Sequence, residues 1–157
     1  MKITLLTVGK TDVPWVREGL DIYVSRLSHY VPFSVRELPE LKNAGALSKE
    51  QIKEKEGSAL LSQIASDDYL ILLDDKGKEK SSMQWASAVG DLTLHQSRNL
   101  VFAVGGAYGF SPAVYSRADS KLSLSKMTFS HQMVRVIFAE QLYRAFTILR
   151  GEPYHHE

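Results

Sequence analysis

Apolar positions in this chain switch repeatedly between strand-like and helical spacing, and that alternation predicts an α/β fold. Lys2–Val8 (KITLLTV) reads as a first strand closed by Gly9 and Lys10. Trp15, Gly19 or Leu20, Tyr23 and Leu27 then recur at three- and four-residue intervals, with Pro14 suited to the first turn of that helix. Phe33–Leu38 alternates apolar with polar residues, as a second strand would. A polar loop, Pro39–Leu47, follows. Ser48 with Gln51 has capping-box spacing, and Ile52, Leu60, Leu61 and Ile64 mark the helix it opens.

Tyr69–Leu73 (YLILL) is a continuous apolar run of the buried-strand kind, after which Asp74–Lys80 is expected to leave the sheet through Gly77. Ser81 with Gln84 is a second capping box, ahead of Trp85, Ala88, Val89 and Leu92. Leu100–Val104 is the fourth strand. Ser111-Pro112 predicts a cap and a short helix to about Arg117, and Leu122–Leu124 a fifth strand. Ser130 is expected to cap a long helix ending near Arg150, with Gly151 as its stop. The order predicts one domain over residues 1–157, a mostly parallel sheet of about five or six strands with helices on both faces.

The last helix departs from the usual single stripe. Val134, Val136, Ile137, Phe138, Ala139, Leu142, Tyr143, Ala145, Phe146, Ile148 and Leu149 wrap most of its circumference. Either it is sunk in its own core, or a second copy covers it. In so small a domain the breadth points to a homodimer through this helix.

Composition narrows the class. The chain is 44% hydrophobic and 24% charged, ordinary for a globular protein, and no run approaches the length of a membrane span. Met1–Lys10 is too short for a signal peptide. Cysteine is absent, which excludes disulfides, thiolate nucleophiles and Cys-based zinc sites and fits a cytoplasmic protein. A net charge of +1 makes no global case for nucleic-acid binding. Such binding needs a local basic patch or a site shared between subunits.

Three segments carry candidate chemistry. AVGGAYGFSP (Ala103–Pro112) puts a glycine turn after a buried strand, the usual edge of an α/β binding crevice. Its G-G-x-x-G spacing is neither the dinucleotide fingerprint nor a Walker A loop, because Gly77-Lys78 is followed by Glu79. Alone, such a turn is most often only a turn. The second segment, LSLSKMTFSHQMVR (Leu122–Arg135), reads as strand, loop and N-cap. It also gathers Lys126, Thr128 and His131 near a helix N-terminus that favours anionic groups and a neutral imidazole. The third is the tail RGEPYHHE (Arg150–Glu157). A polar terminus usually frays, yet Tyr154, His155 and His156 could stack on or hydrogen-bond to a base. Adjacent histidines without cysteine make a poor zinc site, so no metal is expected. Arg135 and Arg144 lie on the last helix, with Glu140 four residues before Arg144; the spacing reads either as an i,i+4 surface pair or as a buried or inter-subunit arginine that meets phosphate.

Together the VGGAYGFSP loop and LSLSKMTFSHQMVRVIFAEQLYRAFTILRGEPYHHE resemble the ribosomal RNA large subunit methyltransferase H family, minimal SPOUT or α/β-knotted methyltransferases. The resemblance continues through LLDDKGK (Leu72–Lys78), IKEKEG (Ile52–Gly57) and LLTVGK (Leu5–Lys10), and so covers essentially the whole chain. It implies a homodimer with a C-terminal trefoil knot that holds S-adenosyl-L-methionine. The cofactor contacts it implies fall on Leu73, Gly105, Leu124, Ser125, Lys126, Met127, Thr128 and Phe129. The implied reaction is methylation of N3 of a pseudouridine in large-subunit (23S) ribosomal RNA, on the assembled ribosome. In that reading His131, Tyr154 and His155 orient or deprotonate the base, and Arg135 and Arg144 contact RNA. Ser130 departs from the pattern, standing where many relatives have proline, but it still supplies an N-cap. Two rivals stay open: a knotted enzyme acting on transfer RNA, and a non-catalytic ribosome-binding dimer.

Overall fold

A computed structural model describes residues 1–156. It is built on one five-stranded sheet of β1 (Ile3–Val8), β2 (Phe33–Leu38), β3 (Tyr69–Glu79), β4 (Leu100–Val104) and β5 (Ser120–Ser123). The strand order is β2-β1-β4-β3-β5, and every neighbouring pair is parallel. Parallel neighbours need crossovers, which α1 (Pro14–Leu27), α2 (Lys49–Leu61), α3 (Ser82–His95) and α4 (Pro112–Arg117) supply, and α5 (Met133–Leu149) follows β5.

Side chains alternate across each strand, so one apolar run feeds two cores. Ile3, Leu5, Ile71, Leu100 and Phe102 face α1, α3 and α5, where Leu20, Trp85, Phe138 and Leu142 meet them. Leu6, Leu70, Leu72, Val101 and Ala103 face the other way, onto Leu60 of α2 and Val114 of α4. The local signals are in place. Both capping boxes form, Ser48 with Gln51 and Ser81 with Gln84, and the Ser111 hydroxyl accepts the Val114 N–H.

The structure corrects the expected course of three segments. Asp74–Glu79 does not leave the sheet. β3 continues past a bulge between Leu73 and Lys78, and its far end pairs Lys78 with Leu122 and Glu79 with Ser123. Gly77 permits this, because a Cβ there would lie 2.9 Å from the Leu122 backbone. β5 spans Ser120–Ser123 and leaves Leu124 to the following loop. Helix α5 starts at Met133, after His131, although the Ser130 hydroxyl accepts the Met133 N–H at 3.1 Å as a turn-forming cap does.

Much of the apolar breadth of α5 is met within the chain. The helix lies between α1 and α3 and buries Phe138, Ala139, Leu142, Ala145 and Phe146. Val136, Ile137 and Ile148 stay half-buried, while Trp15 and Ile22 on α1 are 61% and 47% exposed.

Candidate active site

The C-terminal ends of β3, β4 and β5 open into a cavity of about 600 Å³. Leu73 ends the buried half of β3, Gly105 follows β4, and the loop after β5 brings Leu124, Ser125, Met127, Thr128 and Phe129 to the same wall, with His131 beyond them. Two of the three segments singled out in the sequence, the glycine loop and Leu122–Arg135, thus meet across one space. Lys126 does not join them. Its side chain is 88% exposed and lies 3.9 Å from Glu79, so the expected convergence of Lys126 with Thr128 and His131 is replaced by a solvent-facing lysine.

Local hydrogen bonds shape the irregular loop that carries this wall. The Ser123 hydroxyl donates to the Ser125 carbonyl at 3.0 Å, and the Ser125 hydroxyl accepts the Met127 N–H at 3.0 Å. Beyond His131, Gln132 bridges to the β1–α1 connection, donating to the Lys10 carbonyl and accepting the Asp12 N–H. On the opposite side the glycine loop packs against α2. A Cβ on Gly106 would lie 2.6 Å from Glu56 Oε2, so only glycine admits that carboxyl. Glu56 Oε1 is buried without a hydrogen-bond partner among the described residues. Burial foremost, and then the charge of Glu40, push the Glu56 carboxyl above its ordinary range.

Arg135 is not an RNA-facing arginine. It is 0% exposed, and its donors are all directed inward. Nε donates to the His131 carbonyl at 2.9 Å, Nη2 to the Val8 carbonyl at 3.0 Å, and Nη1 to Gly9 O and Thr11 Oγ1 at 3.0 and 2.8 Å. Nη1 also lies 3.4 Å from Glu37, whose two carboxylate oxygens both accept from Arg17 Nη2 at 2.8 and 2.9 Å. Burial would raise the Glu37 carboxyl, but hydrogen bonds from Thr11 and Arg17 outweigh it and hold the group below its usual range. Arg135 therefore pins the segment carrying His131 to the end of β1. It is a positioning residue whose guanidinium is already satisfied.

Tyr154 and His155 lie elsewhere on the same chain. The tail folds back on the middle of α5, where the Tyr154 hydroxyl donates to Glu140 at 2.9 Å and stands 3.5 Å from the Tyr23 hydroxyl. Burial first, and then those two partners, push Tyr154 well above its ordinary value, so it remains a protonated donor at neutral pH. Arg144 donates to Glu140 at 2.6 Å and meets His155 Nδ1 at 3.0 Å. Because arginine can only donate, Nδ1 is the acceptor in this contact. Neither tail residue lines the cavity.

The sequence reading missed Asp74, Asp75 and Tyr115, all of which line the cavity. The Tyr115 hydroxyl donates to Asp74, whose other oxygen accepts the Lys76 N–H at 3.1 Å. Burial pushes Asp74 up, but these hydrogen bonds outweigh it and keep the carboxylate ionised. A pair of aspartates directly after a buried apolar run was the available signal for the acidic groups. Tyr115, on α4, has none. Among the described residues no group of three metal-ligating side chains gathers, and no helix is long and apolar enough to cross a membrane.

The parallel α/β sheet, with a glycine turn and a polar loop meeting at its β3, β4 and β5 ends, belongs by the family comparison to a class of methyltransferases. The model described as "Predicted SPOUT methyltransferase" matches residues 1–155, and the chain belongs to that family. Several curated relatives share one name. The chain is 54% identical over 157 residues to ribosomal RNA large subunit methyltransferase H of Parabacteroides distasonis, covering 100% of both chains. The same-named proteins of Porphyromonas gingivalis and Christiangramia forsetii are 48% and 49% identical, covering 100% and 99% of both chains.

Proposed function

We propose that this chain uses S-adenosyl-L-methionine to methylate N3 of a pseudouridine in large-subunit ribosomal RNA on the assembled ribosome, acting in the cytoplasm as a homodimer with a C-terminal trefoil knot. The observation that carries the reading is the shared cavity. Seven of the eight residues at which the family resemblance implies cofactor contact (all but Lys126) line it.

The cavity suits such a donor. Its volume falls within the roughly 300–1,000 Å³ of small-molecule pockets. Leu73, Val104, Leu122 and Phe129 offer apolar walls for an adenine, and Asp74 and Asp75 offer negative charge to a sulfonium. When bound, the cofactor supplies an activated methyl group; its C–S bond breaks as the N3–C bond forms. The protein holds the two partners in line, excludes water, and takes the N3 proton. His131, in the cavity wall and exposed, is the imidazole placed to orient the base or accept that proton. Tyr154, His155 and Arg144 form a second cluster that we assign to the cavity of the partner subunit. There Tyr154 donates a hydrogen bond, His155 holds the base, and Arg144 meets RNA. Trp15 and Ile22 on α1, beside the half-buried face of α5, supply apolar surface for the dimer.

The test is methyl transfer to purified ribosomes by His131→Ala and His155→Ala. Each is expected to lose about a hundredfold or more in rate, the scale of general acid–base catalysis. Near wild-type rates for both overturn the assignment. Radiolabel in free transfer RNA rather than ribosomes overturns the substrate.

A further inference from the structure

Outside the cavity, Arg26, Arg144 and Arg150 each stand over a tyrosine ring, and these tyrosines form one connected cluster. Tyr143 on α5 is its centre. It meets Tyr23 of α1 at 5.9 Å, Tyr30 of the α1–β2 turn at 5.9 Å, and Tyr154 of the tail at 4.8 Å. Arg26 stands 5.3 Å from the Tyr23 ring and 5.5 Å from the Tyr143 ring. Arg144 covers Tyr154 at 4.8 Å, and Arg150 covers Tyr30 at 4.4 Å.

The acidic groups nearby already have partners. Glu140 takes the Arg144 ion pair and the Tyr154 hydroxyl, and Glu152 takes the Tyr30 hydroxyl at 2.6 Å. The latter bond foremost pushes Tyr30 up to about 12. Arg26 and Arg150 are exposed, and among the described residues neither makes an ion pair with a carboxylate. With no carboxylate partner, the N–H groups of each guanidinium remain available for the fork that grips phosphate oxygens. Resting on a ring also fixes the side chain before anything binds, which lowers the entropy lost on contact. This is the local basic patch that a net charge of +1 demands of any nucleic-acid-binding chain.

We propose that Arg26 and Arg150, held on Tyr23, Tyr143 and Tyr30, form a phosphate-gripping surface that docks ribosomal RNA beside the Arg144 cluster. The inference rests on the ribosomal substrate proposed above. It adds two docking residues that take no part in the chemistry. They contribute to affinity and its salt dependence, and the methyl-transfer step at saturating ribosome does not depend on them.

The test measures binding to purified large ribosomal subunits across a salt series. The double variant Arg26→Gln with Arg150→Gln keeps the apolar stems on the rings and removes only the charges. Its affinity should fall roughly tenfold near 0.1 M salt, and the slope of log affinity against log salt should flatten by about 1.5, the loss of two phosphate contacts. Binding of S-adenosyl-L-methionine should not change. The pair Arg26→Lys with Arg150→Lys should restore the slope. If the double variant does not fold, each single variant carries the test with about half the change in slope. Wild-type chain that neither binds nor methylates large subunits overturns the substrate reading beneath the proposal. Wild-type chain that does both, with an unchanged slope in the variant, overturns the patch alone. A variant that instead loses dimer mass in sedimentation assigns the surface to a second copy, and overturns the RNA assignment.

Discussion

Arg135 and Arg144 stand on the same helix, and the sequence offers no obvious reason to treat them differently. The first is wholly buried, hydrogen-bonded to the backbone of His131, Val8 and Gly9, and paired with Glu37. The second is about a quarter exposed, stacked on Tyr154 and shared between Glu140 and His155. One guanidinium ties a loop to a strand end. The other lies in a surface cluster with the tail. Identical chemistry thus becomes framework at one end of α5 and candidate machinery further along, and burial decides which.

The sharpest way to break that contrast is to truncate each arginine. Arg135→Ala empties a buried site and leaves the His131, Val8 and Gly9 carbonyls without their donor and Glu37 with Arg17 and Thr11 alone, so unfolding free energy should drop by about 3 kcal/mol in chemical denaturation. Donor binding should be lost with it. Arg144→Ala should leave stability within about 1 kcal/mol, because a part-exposed ion pair contributes little. Its methyl transfer to ribosomes should nevertheless fall about a hundredfold, or roughly 2.7 kcal/mol in the barrier. A destabilised Arg144→Ala with normal turnover per folded molecule would reverse the assignment. Tyr154→Phe sharpens the point, since only its hydroxyl is lost: a rate reduced about tenfold with an unchanged melting temperature separates a donor from a packing role.

The smallest predicted effect is one of pH. Glu37 has its folded value held below the value in the unfolded chain, so the stability it contributes is present above the ordinary carboxylate range. It is lost as pH falls through the lowered folded value. Wild-type unfolding free energy should therefore decline in acid more steeply than that of Glu37→Gln. Parallel pH profiles for the two would mean that the Arg17–Glu37–Arg135 cluster is not held as described.

What could be read from the sequence followed the range of the interactions. The capping boxes at Ser48 and Ser81 and the Ser111-Pro112 start are local, and they were legible because their partners lie three residues away. The outer half of β3 was not, because Lys78 and Glu79 stay in the sheet only by pairing with Leu122 and Ser123. His131 was placed one turn too far into the helix, because the Ser130 cap closes a turn that precedes α5. The family resemblance pointed to Leu73, Gly105 and the loop after β5, and the fold brings all three to one cavity, with only Lys126 facing away. What Arg135 holds carries no local signal in the sequence, and only the strand end 127 residues earlier reveals it. The Tyr115–Asp74 bond, 41 residues apart, is invisible for the same reason.

The most direct test of the account is to incubate this protein with unmethylated ribosomes and methyl-labelled S-adenosyl-L-methionine, then map the label in the RNA. The account predicts one methyl group per large subunit, at N3 of a single pseudouridine. Label in transfer RNA, label on another atom or nucleotide, or no label at all beside a control enzyme that works would contradict it.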